Sequence, residues 1–242
     1  MVKKMIATKK KKLTPASITS RPRKAAFLSD DARYLESNPK IELDREIGHG
    51  DYGNVFTVAG NKNLVVKIPR GTGHGGNFPM SGEAERSAKQ LRYEADNYKK
   101  HNLYNKPLIA PMREVNMGHD NTLGRDMIGL VMPRVNDNDL SYLTPSQLEM
   151  IRKQLIDLSE HGFILSDGFQ VGMDKVGRPL IYDLGSVDFV GDSWSKAQIY
   201  MKNNRMFQKF LSEIGLDDEE YYSGSVMPPK AQKSRSTPKR RI

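Results

Sequence analysis

The chain has 242 residues, 37% apolar and 8% aromatic, enough to bury a single ordinary core or a pair of smaller ones. It contains no cysteine, which excludes a disulfide framework and a thiolate zinc site and fits a reducing, cytoplasmic or otherwise intracellular setting. The net charge of +9 is uneven: residues 1–24 carry nine Lys or Arg and residues 223–242 carry six, with no acid in either, leaving 23 basic against 29 acidic residues between them.

An acidic globule with two basic tails is therefore expected. The segments 9–24 and 226–242 are rich in Pro, Ser and Lys/Arg and poor in large apolar groups, so tails of 1–39 and 223–242 are expected to be disordered. They read either as solvated extensions or as surfaces that hold nucleic acid or another anionic partner by charge. No aromatic residues interleave their lysines, so base stacking is unsupported. The longest apolar runs, such as "IGLVM" at 128–132, fall far below the roughly 20 residues of a membrane span. No apolar segment follows the first lysines, so no secretory signal is expected.

From Ile41 the chain alternates in short β-like runs, "IELDREIG", "NVFTVAG" and "NLVVKIP", with a tight turn expected at Asn61 to Asn63. A glycine-rich insertion from Arg70 leads into a charged helix near Glu83 to His101, and two more strands follow, "APMREVNM" and "MIGLVMPRV". The next helix has a well-formed start: Thr144 as N-cap, Pro145 at the first helical position and Gln147 three after the cap. Leu148, Ile151, Leu155 and Leu158 recur at helical spacing until Gly162 stops it. "FIL", "QVGM" and "PLIYDL" read as short strands with a turn at Asp174 to Arg178, and a last helix pair spans roughly Ser195 to Ile214 and Asp217 to Tyr222. This order predicts an α+β fold in two lobes, 40–133 and 134–222.

The stretch "GHGDYGNV" sets Gly48, Gly50 and Gly53 at a strand-turn-strand, where glycines let the backbone approach a triphosphate and a lysine on the next strand supplies counter-charge. Lys67 in "VVKIP" stands there, although a plain hairpin with a solvated lysine has the same pattern.

Here the sequence resembles the protein kinase family, over residues 41–190. The turn keeps Tyr52 and Val55 of the G-x-G-x-F/Y-G-x-V pattern, and "VVKI" is similar to the V-A-I-K strand. "VMPRVNDNDL" is similar to the linker between kinase lobes, which implies Met132 as gatekeeper and the Pro133 carbonyl and Val135 amide as adenine contacts. "HGFILSDG" has the spacing that leads into the H-R-D loop, which implies Asp167 as catalytic aspartate. Asp183 of "DLG" then falls on the metal-binding aspartate of D-F-G. The His and Arg of H-R-D are replaced by Leu165 and Ser166, and Gly172 stands where the family has its second metal ligand, Asn. Counting back from Asp183 lands on Gln170 instead, which implies a shorter catalytic loop with the Gln170 amide oxygen at the metal. Glu83, Glu85 and Glu94 are all candidates to pair with Lys67; Glu94 has apolar and aromatic neighbours at helical spacing and is preferred, with Glu85 next.

The resemblance implies a minimal two-lobed kinase fold, with a five-stranded antiparallel N-lobe and a reduced helical C-lobe, of the kind seen among bacterial effectors and viruses. It implies ATP and Mg2+ as cofactors and a protein substrate, hence a serine/threonine-protein kinase acting inside a cell, whether delivered into a host or carried in a virion. A nucleotide-binding pseudokinase, a small-molecule phosphotransferase and a basic-tailed nucleic-acid or virion-associated protein are the alternatives.

Overall fold

The computed structural model describes residues 26–38, 40–50, 52–72, 80–137, 140, 143–165, 170–184 and 187–216. Five antiparallel strands, β1 (Leu43–Gly50), β2 (Gly53–Val58), β3 (Asn61–Ile68), β4 (Arg113–Asp120) and β5 (Arg125–Pro133), form one sheet in the order β1-β2-β3-β5-β4. The β2–β3 hairpin turns at Ala59–Gly60 and not at Asn61–Asn63: Gly60 takes a φ of +78°, open to glycine at no steric cost, so Val58 faces Asn61 across a two-residue turn. Asn61 enters the strand and uses its side chain to accept the Asn63 N–H.

Strand β3 is apolar on both faces because both are covered. Leu64, Val66 and Ile68 join Phe56, Val58, Val115, Met127 and Val131 on one face, whereas Val65 joins Leu130 and Met132 against Leu91 and Ala95 of helix α2 (Ser81–Lys100). Lys67 alternates with Val65 and so shares the α2 side.

The tail expected to run to residue 39 gives way to helix α1 (Ser29–Ser37). Its Leu35 joins the outer sheet core, and the Tyr34 hydroxyl donates to the Ala59 carbonyl. Buried Asp31 accepts from the Asn61 side chain at 3.2 Å and pairs with Lys175 at 3.3 Å. Its sequence signal is weak: the N-cap position is Leu28, which offers no capping side chain, and only one short apolar stripe marks the segment.

Beyond the sheet lie α3 (Pro145–Glu160), β6 (Phe163–Leu165), β7 (Gln170–Met173), β8 (Pro179–Tyr182), β9 (Val187–Phe189) and α4 (Lys196–Glu213). Helix α3 starts as expected: Thr144 and Gln147 cap each other reciprocally, with Pro145 at the first helical position. Ser195 and Gln198 repeat the capping box at α4. The hairpin of β7 and β8 turns on Asp174, whose carboxylate accepts from the Val176 and Arg178 amides. Strand β9, unforeseen in the sequence, pairs with β6. Leu148, Ile151, Leu155 and Leu158 of α3 pack with Phe207, Phe210 and Leu211 of α4 and with Leu165, Val171 and Leu184 in a second core. Among the described residues no helix is long and apolar enough to cross a membrane. The expected helix at 217–222 and both basic tails, up to residue 25 and from 223, lie outside the described residues.

Candidate functional site

Three residues distant in sequence meet between the two cores. The Lys67 ammonium, 9% exposed, donates to Glu94 Oε2 at 3.0 Å and to Asp183 Oδ1 at 2.7 Å. Glu94 is fully buried, and its other oxygen accepts the Leu184 N–H at 3.1 Å. The other two candidate partners are engaged elsewhere: Glu83 pairs with Arg70 at 2.9 Å, and Glu85 with Arg125 at 2.8 Å. Asp183, the residue of the "DLG" stretch, has a side chain 39% exposed and a φ of +54°. That left-handed backbone is uncommon outside glycine, with Asp and Asn the usual exceptions, and costs of order 1–3 kcal/mol. The bonds of Asp183 to Lys67 and of Leu184 to Glu94 hold it there.

Burial opposes the charge on Lys67, but the Glu94 and Asp183 carboxylates outweigh it and hold the ammonium above its ordinary range. Burial pushes the Glu94 carboxyl up, an effect that Lys67 opposes and Asp183 reinforces. The site is thus a lysine shared by two acids, one dry and one facing the cleft.

That cleft encloses about 690 Å³. Gly50, Tyr52, Gly53 and Val55 contribute from the β1–β2 turn, and Met132, Pro133 and Val135 from the end of β5 and the segment after it. Lys67, Gln170 and Asp183 line the cleft as well. Gly48 is placed in β1 opposite Val55 and does not border the cleft. Gly53 has a specific reason to be glycine: a Cβ there would stand 2.9 Å from the Lys67 Cγ and 3.0 Å from the Ile68 carbonyl. Asp167 lies outside the described residues, as does Asp51; the neighbours Leu165 and Gln170 are placed.

Gln170 opens β7 directly across from Tyr182, the residue before Asp183. Gly172, two residues on, packs against the linker, where a Cβ would come within 2.6 Å of Val135. Asn136 and Met173 fix that approach through two reciprocal backbone bonds of 2.8 Å. No side chain larger than hydrogen fits at Gly172 as the strands stand.

Several contributors carry no motif. Tyr182 donates to Asp137 at 2.5 Å across the cleft mouth, and burial together with that bond pushes its hydroxyl pKa up. Met206, Lys209, Phe210 and Glu213 of α4 border the cleft at helical spacing, a mixed apolar and charged stripe that matches no motif. Buried Asn203 accepts the Leu165 N–H at 2.9 Å and donates to the Phe163 carbonyl and Ser159 hydroxyl, both at 2.8 Å, pinning the strand that leads to residue 167. Helix α4 was expected from about Ser195, but nothing in its sequence singles out Asn203.

Oxygen donors suit magnesium, which keeps waters and shares its shell with phosphate oxygens at one or two protein carboxylates. Asp183 and Gln170 both line the cleft and carry oxygen donors, and among the described residues no three His, Cys, Asp or Glu side chains cluster into a closed cage. No family model matches the chain, and no curated protein matches it.

Proposed function

We propose that the protein is an ATP-dependent phosphotransferase on a minimal two-lobed kinase-like fold, acting as a protein serine/threonine kinase. One observation carries the reading: Lys67, Glu94 and Asp183, separated by 27 and 116 residues from the lysine, converge at 3.0 and 2.7 Å beneath a glycine-bearing turn. A buried ion pair with a third, cleft-facing acid is expensive to build for stability alone. It is well suited to holding a lysine at phosphate oxygens.

In this reading the sheet and α2 form the N-lobe, and the second core the C-lobe. The amides of the β1–β2 turn cover the phosphates, Val55, Val65 and Met132 bound the base, and Lys67, oriented by Glu94, contacts the non-transferred phosphates. Asp183 and Gln170 would hold magnesium, which supplies charge neutralisation at the β- and γ-phosphates. Asp167 accepts the hydrogen bond of the attacking hydroxyl and orients it, taking the proton late. A nucleotide-binding module without transfer is the second reading, favoured by the tight fit at Gly172, which admits no asparagine there.

The test is incubation with magnesium and γ-labelled ATP, alongside Asp167→Ala and Asp183→Ala, with mass spectrometry of the products. Label that disappears in both variants supports the phosphotransferase; ATP binding without label supports the second reading.

A further inference from the structure

The glycine-bearing turn is not a free flap. Ser87 of α2 is 1% exposed, and its hydroxyl accepts the Arg70 N–H at 2.8 Å while donating to the Tyr52 carbonyl at the tip of the turn. One hydroxyl therefore joins three elements: the β1–β2 turn, the chain just after β3 and the helix. A serine can do this because it offers one donor and two acceptor lone pairs. The helix face around it is made of small residues, Ala84 and Ala88, which lets the turn's backbone come close. Glu94 lies seven residues further along the same helix, two turns on and on the same face, where it holds Lys67 and Leu184. Near its start α2 is tied to the same strand end by Arg70 with Glu83 and by the Met80 amide on the Gly71 carbonyl, both at 2.9 Å.

We propose that Ser87 is a positioning residue that clamps the Tyr52 turn onto α2, so that the turn over the cleft and the Lys67–Glu94 pair move as one body. Its consequence for nucleotide binding rests on the phosphotransferase reading; the clamp itself does not. Removing the hydroxyl frees the Tyr52 carbonyl and the Arg70 amide while leaving Lys67, Glu94 and Asp183 untouched. The turn then samples open positions, and the nucleotide must select the closed fraction, which lowers affinity without altering the reacting groups.

The experiment compares wild type, Ser87→Ala and Ser87→Thr. Amide hydrogen exchange resolved at Arg70 reads the clamp without any nucleotide, and calorimetry with MgATP, followed by separate kcat and KM values for ATP, reads its effect. In Ser87→Ala the Arg70 amide is expected to exchange at least about tenfold faster, with Val65 to Lys67 unchanged, and MgATP to bind about tenfold more weakly through KM rather than kcat. Ser87→Thr, which keeps the hydroxyl, is expected to return both to within about twofold of wild type. Unchanged exchange at Arg70 in Ser87→Ala would overturn the clamp, and faster exchange with unchanged MgATP affinity would overturn its positioning role. If wild type binds no MgATP, the phosphotransferase reading fails, and exchange at Arg70 alone decides the clamp.

Discussion

On the sheet side of the cleft a single buried lysine is gripped by two carboxylates, and a serine and a glutamate two helical turns apart fasten α2 to everything around it. On the helical side the equivalent tasks fall to a side-chain amide, Asn203, and to the close approach of Gly172 to Val135. The first region depends on charge, so its residues are chemically irreplaceable and recognisable. The second depends on shape and neutral hydrogen bonds, which leave no charged signature in the sequence. That difference explains why "VVKI" and "DLG" stand out in the sequence while Asn203 and Gly172 do not.

Substitutions on the two sides should differ in size and in what rescues them. Lys67→Met leaves Glu94 charged, buried and unpaired, and is expected to destabilise the fold most, by about 3–5 kcal/mol in urea unfolding. Adding Glu94→Gln should recover much of that loss; no recovery would show that the lysine's packing, not its charge, mattered. Asn203→Ala strands the Leu165 amide and the Phe163 carbonyl in the core, and about 1–3 kcal/mol should be lost, with label transfer falling further than stability alone explains. Gly172→Ala forces a methyl against the Val135 Cβ and should cost about 1–3 kcal/mol, with Val135→Gly, which removes that Cβ, relieving part of it in the double mutant; additive losses would contradict the close fit.

A weaker effect is expected in pH. Lys67 has its folded pKa raised above 10.5, so its contribution to stability is complete below that value and is lost only as pH rises through the higher folded one. Glu94, raised above 4.5 by burial, has the same sign in a lower pH window: as an ionised buried carboxylate it costs stability above its folded pKa, and acid relieves the cost. Lys67→Met removes the charge that restrains Glu94, so the deficit of this variant should shrink between pH 8 and about pH 5. A deficit that grows on acidification would reverse the assignment of the buried charge.

The legible stretches of the chain were those where one residue type has one physical role. Short runs rich in Val and Ile marked the strands, the Thr144–Gln147 box marked α3, and an apolar-flanked lysine with Glu94 downstream marked the ion pair. Helix α1 was hidden because its polar sequence follows a basic tail and its anchors, Asp31 to Asn61 and Lys175, are long-range. The β2–β3 turn was misplaced because Asn61 and Asn63 have turn chemistry, while Gly60 beside them has more. The α4 stripe and the clamp at Ser87 had no local signal, since each is defined by what the fold brings to it.

Whether the Lys67–Glu94–Asp183 cluster serves a magnesium nucleotide is decided by calorimetric titration of ATP into wild type and Asp183→Asn, each with magnesium and with chelator. Wild type is expected to bind at least about tenfold more tightly with magnesium than without, and Asp183→Asn to lose that difference while keeping its fold. ATP binding that ignores both magnesium and Asp183, or no binding at all, would show that the cluster has another purpose.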